Sequence, residues 1–295
     1  MSNMEIDRVL AQIRSMSQAA KPGGVGGGPY DDNNVSDEFY WAAAELFLTT
    51  KKPVYKDFLA KSPHHNQVLA NAASSGADAG IDTAMTWGNV ASLGSISLAV
   101  APGAPAADVE AIKKAIAAAA DTYLELAKKQ GYRVPFKPGP KGYPWGSNSF
   151  VMNNLIVIGL ANDLTRDAKY LNAVVEGMDY LLGRNPLDQG YVTGYGERPL
   201  EWPHHRFWSQ QANGKFPKAP PGAVSGGPNS GLEDPYVQAA GLKGCAPQKC
   251  FVDNIEAWSA NEITINWNAP LAWLASFLDE KGGGKSKGGS KAKQK

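Results

Sequence analysis

Cysteine is almost missing from this 295-residue chain: Cys245 and Cys250 are its only two. Two are too few for a disulfide framework or for a structural zinc centre built from cysteine alone. Their spacing closes a short loop, and a disulfide formed in an oxidising compartment and a pair of free thiols both remain open readings. Long apolar runs are missing too. No stretch of eighteen apolar residues occurs, so no transmembrane helix is expected. The segment VLAQIRSMS near the start carries an Arg and lacks the apolar centre of a signal peptide. Excess charge is also absent, with a formal net charge of +1. Residues 281–295, KGGGKSKGGSKAKQK, hold six lysines and no acid. That leaves 23 basic and 28 acidic side chains in residues 1–280, a net of −5. A chain so balanced has no basic footprint for nucleic acid. The Lys-Gly-Ser tail reads as a disordered linker or read-through. Strand-like alternation is negligible.

What is present is a globular composition, 43% hydrophobic and 9% aromatic, with helical periodicity. Residues 107–128 place Val109, Ile112, Ile116, Ala119, Tyr123 and Leu126 on one face. Residues 167–182 repeat this with Tyr170, Leu171, Val174, Met178 and Leu181, then stop at Gly183 with Pro186 behind it. Residues 148–160 are apolar nearly all round. About eight helices are expected. Residues 187–254, by contrast, show almost no periodicity, and so long a loop usually marks a functional segment.

The densest pattern is residues 251–269, FVDNIEAWSANEITINWNA. Asp253 stands nine positions before Glu262, with Trp258 between and Trp267, Asn268 and Ala269 behind. Taken alone, Ser259-Ala260-Asn261-Glu262 is a capping box, with Ser259 as N-cap and Glu262 reaching back from N3. A helix start would favour the charged carboxylate and oppose an acid role for it. A second segment, residues 191–206, YVTGYGERPLEWPHHR, ends in Pro203-His204-His205-Arg206. Arg offers a rigid fork of donors and His a donor plus acceptor, both suited to sugar hydroxyls.

Together these two segments resemble the signatures of glycoside hydrolase family 9, cellulases on an (α/α)6 barrel of twelve helices. The first meets every fixed position of the family pattern; the second departs once, with Gly190 where Ser, Thr or Val is wanted. Residues 33–50, 85–99, 143–160 and 179–185 resemble further family segments in the same order. The resemblance runs from about Val9 to about Asp279, with residues 1–280 as barrel and 281–295 as tail. It implies an all-α fold in which residues 148–160 belong to the inner ring. It also implies hydrolysis of internal β-1,4-glucosidic bonds in cellulose or related β-glucans, with inversion. Breaking such a bond needs one carboxylic acid to protonate the leaving oxygen and one carboxylate across the sugar to activate water. The catalytic candidates are Glu262, as general acid, and Asp253. His204 and Arg206 fall on substrate-binding positions and His205 on a variable one, so that spacing predicts His205 to be dispensable. Trp145, Trp87 and Trp267 are the candidate stacking rings, with Trp145 singled out by its Pro-Trp-Gly-Ser turn. Asp37 and Glu38 resemble a calcium corner of some members, although Gly88 or Asn89 stands where relatives supply a further carboxylate; a helix start with acids in its first turn is the alternative. No other cofactor is implied.

The resemblance also implies a gap. Family members carry an early Asp-Ala-Gly-Asp motif whose carboxylates activate the water, and nothing before Val35 resembles it. Asp78-Ala79-Gly80-Ile81-Asp82 spaces its acids four apart rather than three and comes too late. The expectations are therefore a C-terminal portion of the catalytic domain, incomplete on its N-terminal side, and a parent protein that is secreted. Such a chain would expose apolar surface and associate, with the opening before Asp37, toward residues 148–160 and the Glu262 helix. The alternative class is a non-catalytic cellulose- or oligosaccharide-binding protein on the same scaffold.

Overall fold

The computed structural model describes residues 34–71 and 81–282. Two compact units divide the chain at Ser36. The first, Met1–Ser36, lies almost wholly outside the described residues, as do Asn33, Asp78 and the tail beyond Gly282. The second, Asp37–Lys295, carries the helices that follow.

Six long helices dominate the described residues: α1 (Ser36–Thr50), α3 (Ala91–Val100), α4 (Ala106–Ala127), α5 (Ser147–Thr165), α6 (Ala168–Leu181) and α9 (Ile265–Gly282). Three shorter ones lie between them: α2 (Pro53–Lys61), α7 (Pro235–Ala239) and α8 (Trp258–Asn261). Their starts follow local chemistry. Asp37 and Glu38 sit in the first turn of α1, where the helix dipole favours acids. Pro53 opens α2 at a position that needs no N–H donor. The Asp167 carboxylate accepts the Lys169 N–H at 2.9 Å and caps α6. No strands form among the described residues, only isolated bridges.

Helix α5 is the hub, packing against α4, α6 and α9. Phe150, Val151, Met152, Leu155, Val157, Ile158 and Leu160 are all buried, as the all-round apolar pattern requires. Two neighbours approach it through missing side chains. A Cβ on Gly177 of α6 would lie 2.5 Å from Leu155, and one on Gly159 of α5 would lie 2.9 Å from Trp273 of α9. Buried asparagines hold the hub's surroundings in place. Asn154, for one, donates to the carbonyls of Asp82 and Pro135, stapling two loops onto the helix. On α4 the buried face is Ile112, Ile116, Ala119, Ala120 and Tyr123, with Val109 and Leu126 half-buried at its margins. The two cysteines are paired as a disulfide, Cα–Cα 5.4 Å, within the long loop. No helix among the described residues is long and apolar enough to cross a membrane.

The uncovered surface differs in part from the expectation. Residues 148–160 do not line an opening, because α4, α6 and α9 enclose them. The exposed apolar face is instead on α9: Ile265, Ala269, Ala272 and Ala275 recur at helical spacing and lie toward solvent, Ile265 at 90%. Burying such a face gains roughly 25 cal/mol per Å². Purified chain is therefore expected to self-associate in light scattering, and Ile265→Lys combined with Ala272→Glu to shift it toward monomer. A monodisperse wild-type monomer with one cooperative melt and no binding of a hydrophobic dye would refute this.

Candidate active site

The long loop does not wander. His204 donates its N–H to the Asn261 carbonyl at 2.8 Å, and Ile263 donates back to the His204 carbonyl at 3.4 Å. On the other side Gly226 donates to the Glu262 carbonyl at 3.0 Å and Gly227 to Ala260 at 2.8 Å. Glu262 is thus pinned between two extended segments by backbone bonds. The segment bearing Gly226 is fixed in turn by the start of α5: Asn148 donates its N–H to the Gly226 carbonyl and its side-chain amide to the Ser225 carbonyl. Gly227 has φ +86°, and a Cβ there would lie 2.4 Å from the Asn148 amide, so this close approach requires glycine.

The capping-box arrangement does not form. Glu262 has φ −64° and ψ 148°, extended, at the C-terminal end of α8 rather than in a first turn. Ser259 gives both its N–H (2.9 Å) and its hydroxyl (2.6 Å) to the buried carboxylate of Asp234, which also accepts the Val237 N–H. Asp234 was not visible as a site residue. Its one sequence signal, Asp followed by Pro, marks a helix start and says nothing of a partner 25 positions on.

Placed at a helix C-terminus and not in a first turn, Glu262 is half-buried, and burial pushes its carboxyl above the usual value. Three groups pull the other way: the Trp145 indole, donating to Oε2 at 3.2 Å, then the charges of His204 and Arg206. Burial is the largest of these effects, so the net direction is up. His204 holds its Nδ1 against the Ile255 carbonyl at 2.5 Å. The carbonyl can only accept, so Nδ1 carries a proton and Nε2 faces away from this bond. Arg206 is exposed and forms no ion pair among the described residues.

The remaining candidates separate by surroundings. Asp253 spends its carboxylate on backbone and amide donors: Glu201 N–H (2.7 Å), Trp202 N–H (2.9 Å) and the Asn261 amide (3.1 Å). Trp145 is 38% exposed, while Trp267 is 7% exposed. A Cβ on Gly146 or Gly226 would lie 2.7 or 2.8 Å from the Trp267 ring, so this indole fills a wall and offers no open face. Trp87 is exposed on the turn between Thr86 and Asn89. Asp37 is buried; its Oδ2 accepts the Val90 N–H at 2.8 Å and its Oδ1 has no hydrogen-bond partner among the described residues. That orphaned oxygen suits a hard cation such as calcium. No group of three or more His, Cys, Asp or Glu converges among the described residues, so Asp37 and Glu38 would need carbonyl or water oxygens to complete a shell. Asp82, one end of the imitation motif, pairs with Lys137 and is not among the groups acting on Glu262.

The Trp145 bond yields a direct test. An N–H donated to a carboxylate stabilises its charged form, so removing it raises the pKa. Trp145→Phe is expected to move the Glu262 titration, followed by carboxyl carbon NMR, to higher pH than in wild type. A fall, or no change, would show that the indole does not act on the acid.

A family model described as Glycosyl hydrolase family 9 matches residues 8–275. The chain is 53% identical over 266 residues to a cellulose 1,4-beta-cellobiosidase of Acetivibrio thermocellus, covering 88% of this chain and 30% of that protein. It is 42% identical over 262 residues to endoglucanase C of Cellulomonas fimi, covering 88% and 23%. Among solved structures, a GH family 9 endoglucanase superposes with a TM-score of 0.73 at 28% identity, covering 92% of this chain and 49% of that one. The chain thus spans less than a third of each of these two curated relatives and about half of the solved one.

Proposed function

This chain belongs to glycosyl hydrolase family 9, and from that premise we propose that it supplies the general-acid side of a β-1,4-glucan hydrolase, with Glu262 as proton donor. Its helices are those of the (α/α)6 barrel of that family. The observation that carries the reading is the setting of Glu262: a half-buried carboxyl pushed upward, with an indole, an imidazole and a guanidinium beside it. A glycosidic oxygen resting at Glu262 takes its proton as the bond to the sugar carbon breaks. In the same displacement water attacks that carbon from the opposite face and gives up a proton to a base. For inversion the two carboxyl groups stand roughly 6.5–9.5 Å apart with water between them.

Among the described residues the charges acting on Glu262 are those of His204 and Arg206, with no second carboxylate. His204 Nε2 and the Arg206 fork would hold sugar hydroxyls, and Trp145 and Trp87 offer exposed rings for stacking. Asp253 is then a positioning residue rather than half of a catalytic pair, because all its bonds run to the loop bearing His204 and to Asn261. A calcium ion at Asp37 would tie α1 to the turn that ends at Val90 and take no part in the chemistry. The Cys245–Cys250 disulfide supports a secreted parent protein. Among the described residues no carboxylate acts on Glu262, and that is the observation behind the second reading, oligosaccharide binding without turnover.

Turnover separates the two. Loss of a general base typically lowers rate on the order of 10²–10⁴-fold. Purified chain is accordingly expected to release few or no reducing ends from soluble cellulose derivatives while still binding cello-oligosaccharides. Robust release that vanishes in Glu262→Gln would show that another carboxylate serves as base. Binding itself reports the sugar contacts. Charged hydrogen bonds contribute about 1.5–3 kcal/mol, so His204→Ala and Arg206→Ala should each weaken binding in calorimetry by roughly tenfold or more. Unchanged affinity in both would place the sugar elsewhere.

A further inference from the structure

His205 stands between the two proposed sugar contacts, and its ring is already engaged. Its Nδ1 lies 3.2 Å from the Phe207 nitrogen and 3.1 Å from the Trp208 nitrogen, accepting both backbone N–H groups. Accepting there requires an unprotonated Nδ1, with the proton on Nε2. The ring also stacks on the Trp208 indole, centroids 4.1 Å apart and planes 24° apart. Burial, with the neighbouring charge of His204, holds its pKa below the ordinary value, which keeps the acceptor available. The turn is closed a second time by the Ser209 hydroxyl, which donates to the Arg206 carbonyl at 3.2 Å.

Arg206 therefore sits inside a turn fixed at both ends. Upstream, His204 is bridged to the residues flanking Glu262. Downstream, the closing bonds all end on the His205 ring or the Arg206 carbonyl. The Arg206 side chain has no ion pair of its own among the described residues, so the turn that holds its backbone is what fixes where the side chain starts, at a point from which its charge acts on Glu262. We propose that His205 is a positioning residue for sugar binding: its Nδ1 caps the 206–208 turn and so aims the Arg206 guanidinium at the sugar beside Glu262. This rests on the reading of His204 and Arg206 as sugar contacts. It replaces the expectation that His205 is dispensable.

The acceptor, not the ring, is the working part, and substitutions can separate the two. Asn places an oxygen directly on Cγ, at the position where His carries Nδ1, without an aromatic ring. Phe keeps a stacking ring without an acceptor. Two readouts are taken on the full chain: amide exchange at Phe207 and Trp208 by NMR, and affinity for cellotetraose by calorimetry. His205→Ala and His205→Phe are expected to speed exchange at both amides about tenfold or more and to weaken binding about tenfold, the loss of one to two net hydrogen bonds. His205→Asn is expected to stay near wild type in both. Rescue by Phe but not Asn would assign the role to stacking and overturn the proposal. Loss in all three would mean that the imidazole itself is required, and wild-type behaviour in all three that the residue is dispensable; either overturns it. Faster exchange with unchanged affinity would sever the turn from Arg206 and overturn it as well. A wild-type chain that fails to bind cellotetraose, while its amides still follow the acceptor, would overturn the sugar-site reading and uphold the turn.

Discussion

Everything at this site depends on the backbone bonds that hold Glu262 in an extended conformation between two loop segments. Gly226 takes its carbonyl on one side, and His204 bridges its neighbours on the other. A carboxylate at a helix N-terminus would be stabilised as the anion. One in an extended segment with its side chain half-buried meets the opposite pressure. The local geometry therefore decides which way the carboxyl's proton affinity moves, and burial prevails over the three groups that oppose it.

That geometry is anchored far from the acid in sequence. The start of α5 bonds to residues 225–226, Asp234 clamps Ser259, and Asp253 ties residues 201–202 to Asn261. Each anchor is a polar side chain spent on backbone donors or acceptors, as buried polar groups must be. The result is a loop region with almost no regular structure that nonetheless fixes its side chains. Its glycines are part of this: Gly226 and Gly227 leave room for the Trp267 ring and the Asn148 amide, which any Cβ would displace.

Much of the fold was legible in the chain. The apolar surround of residues 148–160 marked α5 as central, and the buried faces of α4 and α6 follow their 3.6-residue periodicity, with marginal positions such as Val109 and Leu171 half-buried. The site was legible only through its motifs. Spacing suggested a capping box at Ser259, which fails because Asp234 competes for both Ser259 donors. The turn around Trp145 singled it out among the candidate rings, but only the structure separates it from Trp267, which is enclosed while Trp145 donates to the acid.

By itself the sequence determined the helices, their order, the family, and which residue types stand at Glu262, His204 and Arg206, because periodicity and motif spacing are local properties of the chain. Tertiary structure alone decided that Glu262 leaves the helix, that Asp253 is consumed by backbone donors, and that His205 caps the turn beside Arg206. Each of these turns on which group reaches a given donor first, and the competitors are separated by as many as 52 positions. No local pattern encodes the outcome of that competition.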